Sequence, residues 1–340
     1  MMKREKMSSI NPENLLFLVS QPRSGSSLLQ QLLLVKKEVI SMPEPWLMLP
    51  LVYIYKETDI TAGYNPKYAN INFKNYINAF NGSWDMVKSH VKDTALCLYN
   101  LNQLKQNQKY FLDKTPRYYH ILPDLYDLFP GAKFILLARN PVSVFASMLD
   151  YNFEGNPGRL FDNDRLDDLL KAPAIIAGMK DSPACTDNMH FIRYEDLVNN
   201  PAAEMNRLSS YLAISKYSKE DLEYRLNQTF RMSNAIDKKS LSRHSVIVDE
   251  YLDSWKSVID DRQKKSLLIE YISILGSDIF GKLGYDYQST LMAVKKHKVK
   301  YRIPLKWEYY EKKGPNMRLY DHIYCGLVNR LNNYISNLAI

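Results

Sequence analysis

A short polar segment between two apolar runs has the pattern of an anion-binding loop. Residues 15–19 are all apolar, residues 22–27 are Pro-Arg-Ser-Gly-Ser-Ser, and apolar residues resume at Leu28. A strand that leads through such a turn into a helix directs unpaired backbone N–H groups at an anion, and Gly25 allows its close approach. Three serine hydroxyl groups add donors: Ser24, Ser26 and Ser27. The segment predicts a phosphate cradle, although a ligand-free strand, turn and amphipathic helix would fit the same pattern.

The loop lacks the lysine of ATP and GTP sites. The nucleoside triphosphate pattern ends in Gly-Lys-Ser or Gly-Lys-Thr, whereas Gly25 is followed by Ser26 and Ser27 and the cation stands earlier, as Arg23. A sulfuryl group carries one negative charge where a phosphoryl group carries about two, so it needs no magnesium clamp. The loop therefore favours a sulfuryl donor over a magnesium nucleotide, and we expect no metal.

A second segment could hold another phosphate. Residues 133–138, a lysine followed by five apolar residues, are typical of a buried strand. Arg139 follows them, and Asn140 and Pro141 are suited to begin a helix. Ser147 lies on that predicted helix, and the carboxyl edge of an open α/β sheet is where ligands bind. An arginine with a nearby hydroxyl group is a good phosphate holder, so Arg139 and Ser147 are candidate ligands.

Together these motifs resemble those of sulfotransferases that use 3′-phosphoadenylyl sulfate (PAPS), of the branch that includes bacterial, carbohydrate and protein-tyrosine enzymes. The family's 5′-phosphosulfate loop matches residues 22–27, and its 3′-phosphate motif matches Arg139, Asn140, Pro141 and Ser147. Three further segments follow the family's order: Glu44-Pro45-Trp46, Asp113-Lys114-Thr115-Pro116-Arg117 and Arg193-Tyr194-Glu195-Asp196-Leu197. Strands and helices alternate between them, and the resemblance implies a P-loop NTPase-like, three-layer α/β fold with a central parallel sheet and helical insertions.

The resemblance also assigns catalytic residues. Sulfuryl transfer needs a base for the acceptor hydroxyl group and cations for the charge on the leaving oxygen. Glu44 stands where the family often carries a catalytic carboxylate, and Pro45 keeps the neighbouring backbone extended. Lys114 would stabilise the leaving oxygen together with Arg23. The alternatives are that Glu44 only pairs with an arginine or caps a helix, and that Lys114 is a surface lysine.

Other residues near the motifs have weaker assignments. Tyr194 could contact adenine through its ring, or it could be a core tyrosine at a strand end. Glu195 and Asp196 suit the start of a following helix better than a ligand contact. Arg243 or His244 could supply a further cation.

The pattern of residues between the motifs predicts the elements that position them. We expect residues 73–106 to be mostly helical, residues 122–129 to form a short helix, and residues 190–194 to form a strand. A helix should begin near Asn200 and Pro201. The irregular segment 152–158 is a candidate lid on the acceptor side.

Charge divides the 340-residue chain unevenly. Its net charge is +8, and residues 291–340 hold ten Lys or Arg against three acidic residues, together with several aromatic residues. We therefore expect a sulfotransferase domain over residues 1–290 and a basic, aromatic-rich extension over residues 291–340 that packs on or beside it. The extension could meet an anionic membrane surface, an acidic glycan or an acidic protein, or it could be a helical cap with a solvated face. No motif supports nucleic-acid binding.

Location and activity follow as expectations. The apolar run at residues 15–19 is too short for a signal peptide or a membrane span, and the three cysteines (Cys97, Cys185 and Cys325) form no metal-spaced pair and suit packing positions. We expect a cytoplasmic, bacterial enzyme that transfers the sulfuryl group of PAPS to a hydroxyl group of a carbohydrate, small alcohol or phenol, releasing 3′-phosphoadenosine 5′-phosphate (PAP). The alternatives are a non-catalytic PAP-binding module that acts through its basic extension, and a small-molecule kinase, which would need magnesium.

Overall fold

The structure is a computed structural model that describes residues 7–56, 65–156, 163–182, 188–222 and 253–300. Its strands are β1 (Met7–Ser8), β2 (Leu15–Ser20), β3 (Val39–Ser41), β4 (Leu104–Lys105), β5 (Tyr110–Lys114), β6 (Lys133–Ala138) and β7 (Met189–Arg193). The α-helices of the first half are α1 (Ser26–Leu33), α2 (Met48–Val52), α3 (Pro66–Ala79), α4 (Trp84–Tyr99), α5 (Leu122–Leu128) and α6 (Pro141–Phe153). Those that follow are α7 (Asn163–Lys180), α8 (Tyr194–Asn199), α9 (Pro201–Leu212), α10 (Trp255–Val258), α11 (Arg262–Lys282) and α12 (Tyr287–Lys296). Two 3-10 helices span Pro12–Asn14 and Pro116–Ile121.

Five strands form one parallel sheet in the order β3-β5-β2-β6-β7. Strand β2 lies at its centre and is fully buried, which explains why residues 15–19 are continuously apolar. β1 and β4 form a separate antiparallel pair. Because all five strands run in the same direction, the segments that follow them meet at one edge of the sheet.

The sheet separates two apolar clusters. Alternate residues of β2 face opposite sides, so that Phe17 packs with residues of α4, α5 and α6, and Leu16 packs with residues of α1, α8 and α9. Along β5, Leu112 lies in the second cluster and Phe111 in the first. Helices thus cover both faces, which confirms the predicted three-layer α/β fold with a central parallel sheet.

Residues 73–106 are mostly helical, as predicted, but the helical stretch is interrupted after Ala79 and ends at Tyr99. Helix α3 ends at Ala79 and α4 begins at Trp84, because Asn81 adopts a left-handed conformation (φ 55°) and the Ser83 hydroxyl group caps the second helix. A Cβ on Gly82 would lie 2.9 Å from the Ile77 side chain, so the turn is built around glycine. After α4 ends, residues 104–105 pair with β1 instead of continuing the helix.

Several other local predictions are confirmed. Helix α5 occupies the expected region, and the side chain of Asn140 accepts a hydrogen bond from the Val142 amide, as the N-cap of α6. Asn200 caps α9 in the same way.

The short helix α8 between β7 and α9 was not predicted. Cys97 is exposed on α4, so the packing role predicted for it is wrong.

The described part of the chain ends with two helices that pack together. Leu291 and Val294 of α12 are buried, and the Lys265 ammonium group of α11 donates to the carbonyl groups of Lys295 and His297. The expected boundary at residue 290 therefore falls inside a packed helix, and residues 291–300 lie against the preceding helices. Residues 301–340, together with Arg243 and His244, lie outside the described residues.

Candidate active site at the carboxyl edge of the sheet

The predicted site residues follow the five neighbouring strands of the sheet. From one side to the other, the carboxyl ends of the strands carry Glu44 after β3, Lys114 at the end of β5, the loop of residues 21–25 after β2, Arg139 after β6 and Tyr194 after β7. The loop stands at the centre because β2 does. The sheet order thus places Glu44 and Lys114 on one flank of the loop, and Arg139 and Tyr194 on the other.

The loop turns sharply into helix α1. Gly25 is the N-cap of α1 in a left-handed conformation (φ 90°), and Arg23 also has a positive φ of 73°. A Cβ on Gly25 would lie 2.4 Å from the Tyr194 ring, so both the backbone conformation and the space require glycine. The Ser20 and Ser24 hydroxyl groups are buried without a hydrogen-bond partner among the described residues. The first N–H groups of α1 face the end of the sheet, as an anion site needs.

The cations on the second flank hold the loop. The Arg139 guanidinium group donates to the Arg23 carbonyl oxygen at 3.1 Å and lies over the Tyr194 ring, 4.5 Å from its centroid. The Arg23 side chain donates to the Ser147 hydroxyl oxygen at 3.4 Å and lies 3.9 Å from the centroid of the Tyr151 ring. The structure therefore brings Arg23, Arg139 and Ser147 together, and Tyr194 is buried between the loop and Arg139. Its predicted adenine contact stays a prediction.

Glu44 and Lys114 form an ion pair on the first flank. The Lys114 ammonium nitrogen lies 2.8 Å from one Glu44 carboxylate oxygen, and the Trp46 indole N–H donates to the other at 3.2 Å. The Lys114 side chain is 5% exposed and that of Glu44 27%, so a ligand can reach the carboxylate more readily than the ammonium group. Glu44 has the ion-pair contact that was its alternative, with a lysine as the partner.

A buried carboxylate beside this pair was missed. Asp113 is fully buried and accepts hydrogen bonds from the hydroxyl groups of Tyr99 at 2.7 Å, Tyr118 at 2.9 Å and Thr115 at 3.1 Å. Burial raises the pKa of the Asp113 carboxyl group to about 6, although these hydrogen bonds and the Lys114 charge oppose the shift. A single acidic residue in the apolar strand β5 was the signal that could have identified it.

We expect the titration of Asp113 to appear in the pH dependence of stability. Its pKa is higher in the folded protein than the ordinary 3.8, so protonation of Asp113 stabilises the fold at low pH and this contribution is lost as pH rises through 6. The free energy of unfolding of the wild type, minus that of Asp113→Asn, should therefore fall by about 3 kcal/mol from about pH 3 to pH 7. Urea unfolding of both proteins across this range measures the difference, and a pH-independent difference would contradict the shifted pKa.

A second buried carboxylate supports the start of the loop, on the same face of the sheet as Asp113. Asp168 of α7 accepts hydrogen bonds from the Arg117 guanidinium group at 2.9 Å and the Tyr119 hydroxyl group at 2.8 Å. The Asp168 backbone carbonyl oxygen accepts a hydrogen bond from the Gln21 side-chain NH₂ group at 2.9 Å. This cluster joins α7, the 3-10 helix after β5 and the start of the loop, and the sequence pattern did not reveal it.

Glu195 and Asp196 act on different helices. Asp196 pairs with Arg193 at the start of α8, with two contacts of 2.7 Å. Glu195 instead accepts from the Asn140 amide at 2.9 Å and from the Tyr285 hydroxyl group at 2.5 Å. Glu195 thus holds the residue that follows Arg139. This role depends on contacts between residues that lie far apart in the sequence.

The predicted lid is described only over residues 152–156. Glu154 and Gly155 both have positive φ angles, of 52° and 78°, so the chain turns sharply where α6 ends. A Cβ on Gly155 would lie 3.7 Å from the Lys264 ammonium group. The lid function stays a prediction.

Across the residues that the structure describes, no group of three or more His, Cys, Asp or Glu side chains could hold a metal ion. Within the same ranges, no helix is both long and apolar enough to cross a membrane.

Comparisons with known proteins place these motifs in a family. A sequence profile of the sulfotransferase family matches residues 16–218, which is more than half of the chain. The nodulation protein NoeE of Sinorhizobium fredii (strain NBRC 101917 / NGR234) is 27% identical over an alignment of 295 residues, which covers 79% of this chain and 65% of NoeE. The chain thus matches less than two thirds of the length of that relative.

Solved structures give weaker matches. The sulfotransferase domain from the curacin biosynthetic pathway has a TM-score of 0.49 and 22% identity, covering 82% of this chain and 99% of that domain. Mouse sulfotransferase SULT7A1, solved with PAP, has a TM-score of 0.45 and 15% identity, covering 85% of this chain and 89% of its own. The profile match, which runs from the central strand through the loop, Lys114, Arg139 and Tyr194, is the decisive finding: the chain belongs to the sulfotransferase family.

Proposed function

We propose that this sulfotransferase transfers the sulfuryl group of PAPS to a hydroxyl group of a carbohydrate, small alcohol or phenol, with Glu44 as the base. The observation that carries the proposal is the arrangement of two groups of charged side chains around the loop. Glu44 and Lys114 form a pair 2.8 Å apart on one flank, and Arg139 and Arg23 lie with Ser147 on the other. One flank suits group transfer and the other suits a phosphate.

The donor would lie across the loop. Its 5′-phosphosulfate would meet the N-terminus of α1, with the backbone N–H groups and hydroxyl groups of Ser24, Ser26 and Ser27. Its 3′-phosphate would meet Arg139 and Ser147, and its adenine would approach Tyr194. PAPS carries about four negative charges, which three cations near the loop would balance in large part: Arg23, Lys114 and Arg139. No step in this scheme uses a metal.

The Glu44–Lys114 pair explains how one site can hold both a base and a cation. When the donor binds, the Lys114 ammonium group meets a new negative charge at the oxygen that bridges sulfur and phosphorus. Glu44 is then free to accept the proton of the acceptor hydroxyl group. The acceptor oxygen forms a bond to sulfur while the bond from sulfur to the bridging oxygen breaks, and PAP leaves with the electron pair.

The non-catalytic alternative needs fewer of these contacts. A PAP-binding module would use Arg139 and Ser147. It would not need Glu44, whose two carboxylate oxygens accept hydrogen bonds from Lys114 and Trp46. This pair favours an enzyme. A small-molecule kinase is disfavoured because Ser26 follows Gly25, and the loop thus lacks the Gly-Lys-Ser or Gly-Lys-Thr pattern of magnesium-nucleotide sites. Its cation, Arg23, stands before the glycine. The anionic partner of the basic extension, the cytoplasmic location and the bacterial source stay predictions.

Transfer of a labelled sulfuryl group tests the proposal. The purified chain would be incubated without divalent metal with 35S-labelled PAPS and a panel of monosaccharides, chitin oligosaccharides, aliphatic alcohols and 4-nitrophenol. We expect label on at least one hydroxyl compound and an equal amount of PAP. PAP binding without labelled product on any of them would favour the non-catalytic module.

A further inference from the structure

The backbone that follows Glu44 is held by two hydroxyl groups from another segment. The Trp46 amide donates to the Thr115 hydroxyl oxygen at 3.3 Å, and the Met48 amide donates to the Tyr118 hydroxyl oxygen at 2.9 Å. Trp46 has a φ of 56°, a left-handed conformation that costs free energy for a residue with a side chain. A strained backbone next to Glu44 therefore depends on external hydrogen bonds to keep its shape.

Both hydroxyl groups give their own protons to Asp113. Thr115 donates to one carboxylate oxygen of Asp113 at 3.1 Å, and Tyr118 donates to the other at 2.9 Å. An ionised carboxylate only accepts hydrogen bonds, so it fixes the direction of both. Each hydroxyl group then turns a lone pair toward the amide of Trp46 or Met48. The orientation of two hydroxyl groups thus depends on the charge and acceptor character of one buried side chain.

We propose that Asp113 is a positioning residue for Glu44, acting through Thr115 and Tyr118 on the backbone of residues 46–48. The functional part of this inference rests on the role of Glu44 in the proposed reaction. Trp46 transmits the effect, since its amide is held by Thr115 while its indole N–H donates to Glu44. A shift of about 1 Å in a catalytic group can lower a rate about a hundredfold, so the support of this backbone matters for turnover.

Asparagine at position 113 would break the arrangement in one of two ways. Its NH₂ group must replace one of the two carboxylate oxygens, and it donates where that oxygen accepted. On the Thr115 side, the hydroxyl oxygen must then accept from the asparagine NH₂ group as well as from the Trp46 amide, and its own proton loses its acceptor. On the Tyr118 side, the same holds for the Met48 amide. Either way, one of the two backbone contacts is weakened.

Tyr99 provides a matched control. Its hydroxyl group also donates to Asp113, at 2.7 Å, but Tyr99 belongs to α4 and, within the described residues, forms no hydrogen bond with residues 46–48. If Asp113 only stabilises the core, Tyr99→Phe should resemble Asp113→Asn. If Asp113 positions the Glu44 segment, the two variants should differ.

Hydrogen exchange measured by mass spectrometry tests the inference on the full chain. We expect Asp113→Asn and Thr115→Val to speed amide exchange in peptides covering residues 43–49 by about tenfold, the worth of one hydrogen bond. Thr115→Ser keeps the hydroxyl group, and Tyr99→Phe leaves the hydrogen bonds of Thr115 and Tyr118 in place. In both variants the exchange rate should therefore stay within about twofold of wild type. Because valine has nearly the same shape as threonine, Thr115→Val still tests the inference if Asp113→Asn fails to fold.

Two results would overturn the inference. One is unchanged exchange over residues 43–49 in Asp113→Asn and Thr115→Val. The other is a rise spread equally over β5 and α4, or shared by Tyr99→Phe, since that indicates core stabilisation alone.

A catalytic readout separates this inference from the proposed reaction. On the acceptor that the labelling panel yields, Asp113→Asn should lower kcat by about tenfold to a hundredfold while the Kd for PAP changes by less than about threefold. Parallel losses of kcat and PAP affinity would overturn the positioning role. If wild type transfers no label at all, the proposed reaction fails, whereas the exchange data still decide whether Asp113 holds residues 46–48.

Discussion

Glu44→Gln is expected to lower the rate of sulfuryl transfer by about a thousandfold, within the range that a positioned general base contributes. Glutamine has the size of glutamate and can still accept from the Trp46 indole, but it cannot take the proton of the acceptor. PAP affinity should stay unchanged or rise slightly, because Lys114 loses the carboxylate that lies 2.8 Å from its ammonium group. The separation of rate from affinity is the specific mark of a base on the acceptor side.

The matched control for this variant is Glu38→Gln. Glu38 stands just before β3, at the opposite edge of the sheet from Glu44, and accepts a hydrogen bond from the Ser215 amide at 3.0 Å. This control should keep both the transfer rate and PAP affinity, measured by labelled product and by calorimetry. A Glu44→Gln enzyme that retains more than about a tenth of wild-type activity would show that another group takes the proton.

Arg139→Ala is expected to weaken PAP binding by about a hundredfold, since a charge-assisted hydrogen bond to a phosphate contributes roughly 1.5–3 kcal/mol. Adenosine 5′-monophosphate lacks the 3′-phosphate, so its affinity should fall much less. Any loss that it does show reports the contact between Arg139 and the Arg23 carbonyl oxygen, which supports the loop.

Comparison of the two nucleotides by calorimetry therefore separates ligand contact from loop support. An equal loss for both would mean that Arg139 acts only by holding the loop. Arg207→Ala is the matched control, because Arg207 lies on α9 with a side chain that is 67% exposed and pairs with Glu204. It should leave both affinities unchanged.

The sequence predicted the parts of the site that depend on local pattern. Leu15 to Val19 could only be a buried strand, Gly25 marked the turn into α1, and Asn140 with Pro141 marked the start of α6. These features follow from the residues themselves and their immediate neighbours. The parallel order of the strands then brought Glu44, Lys114 and Arg139 to one edge without further information.

Contacts between distant residues could not be predicted in this way. The hydrogen bonds that join Tyr99, Asp113, Tyr118 and the Met48 amide connect four elements, and their partners are chosen by packing. The same is true of the contact between the Arg23 side chain and the Ser147 hydroxyl group, which lie far apart in the sequence. In both cases, the packing of the whole fold determines which side chains come into contact.

The central claim is that the loop and Arg139 form a PAPS site, and calorimetric titration of the purified chain with PAP tests it most directly. The titration would be run with and without magnesium, and with ATP as a competitor. The proposed site predicts tight binding of PAP that magnesium does not change and ATP does not displace. Failure to bind PAP, or binding that requires magnesium and yields to ATP, would contradict it.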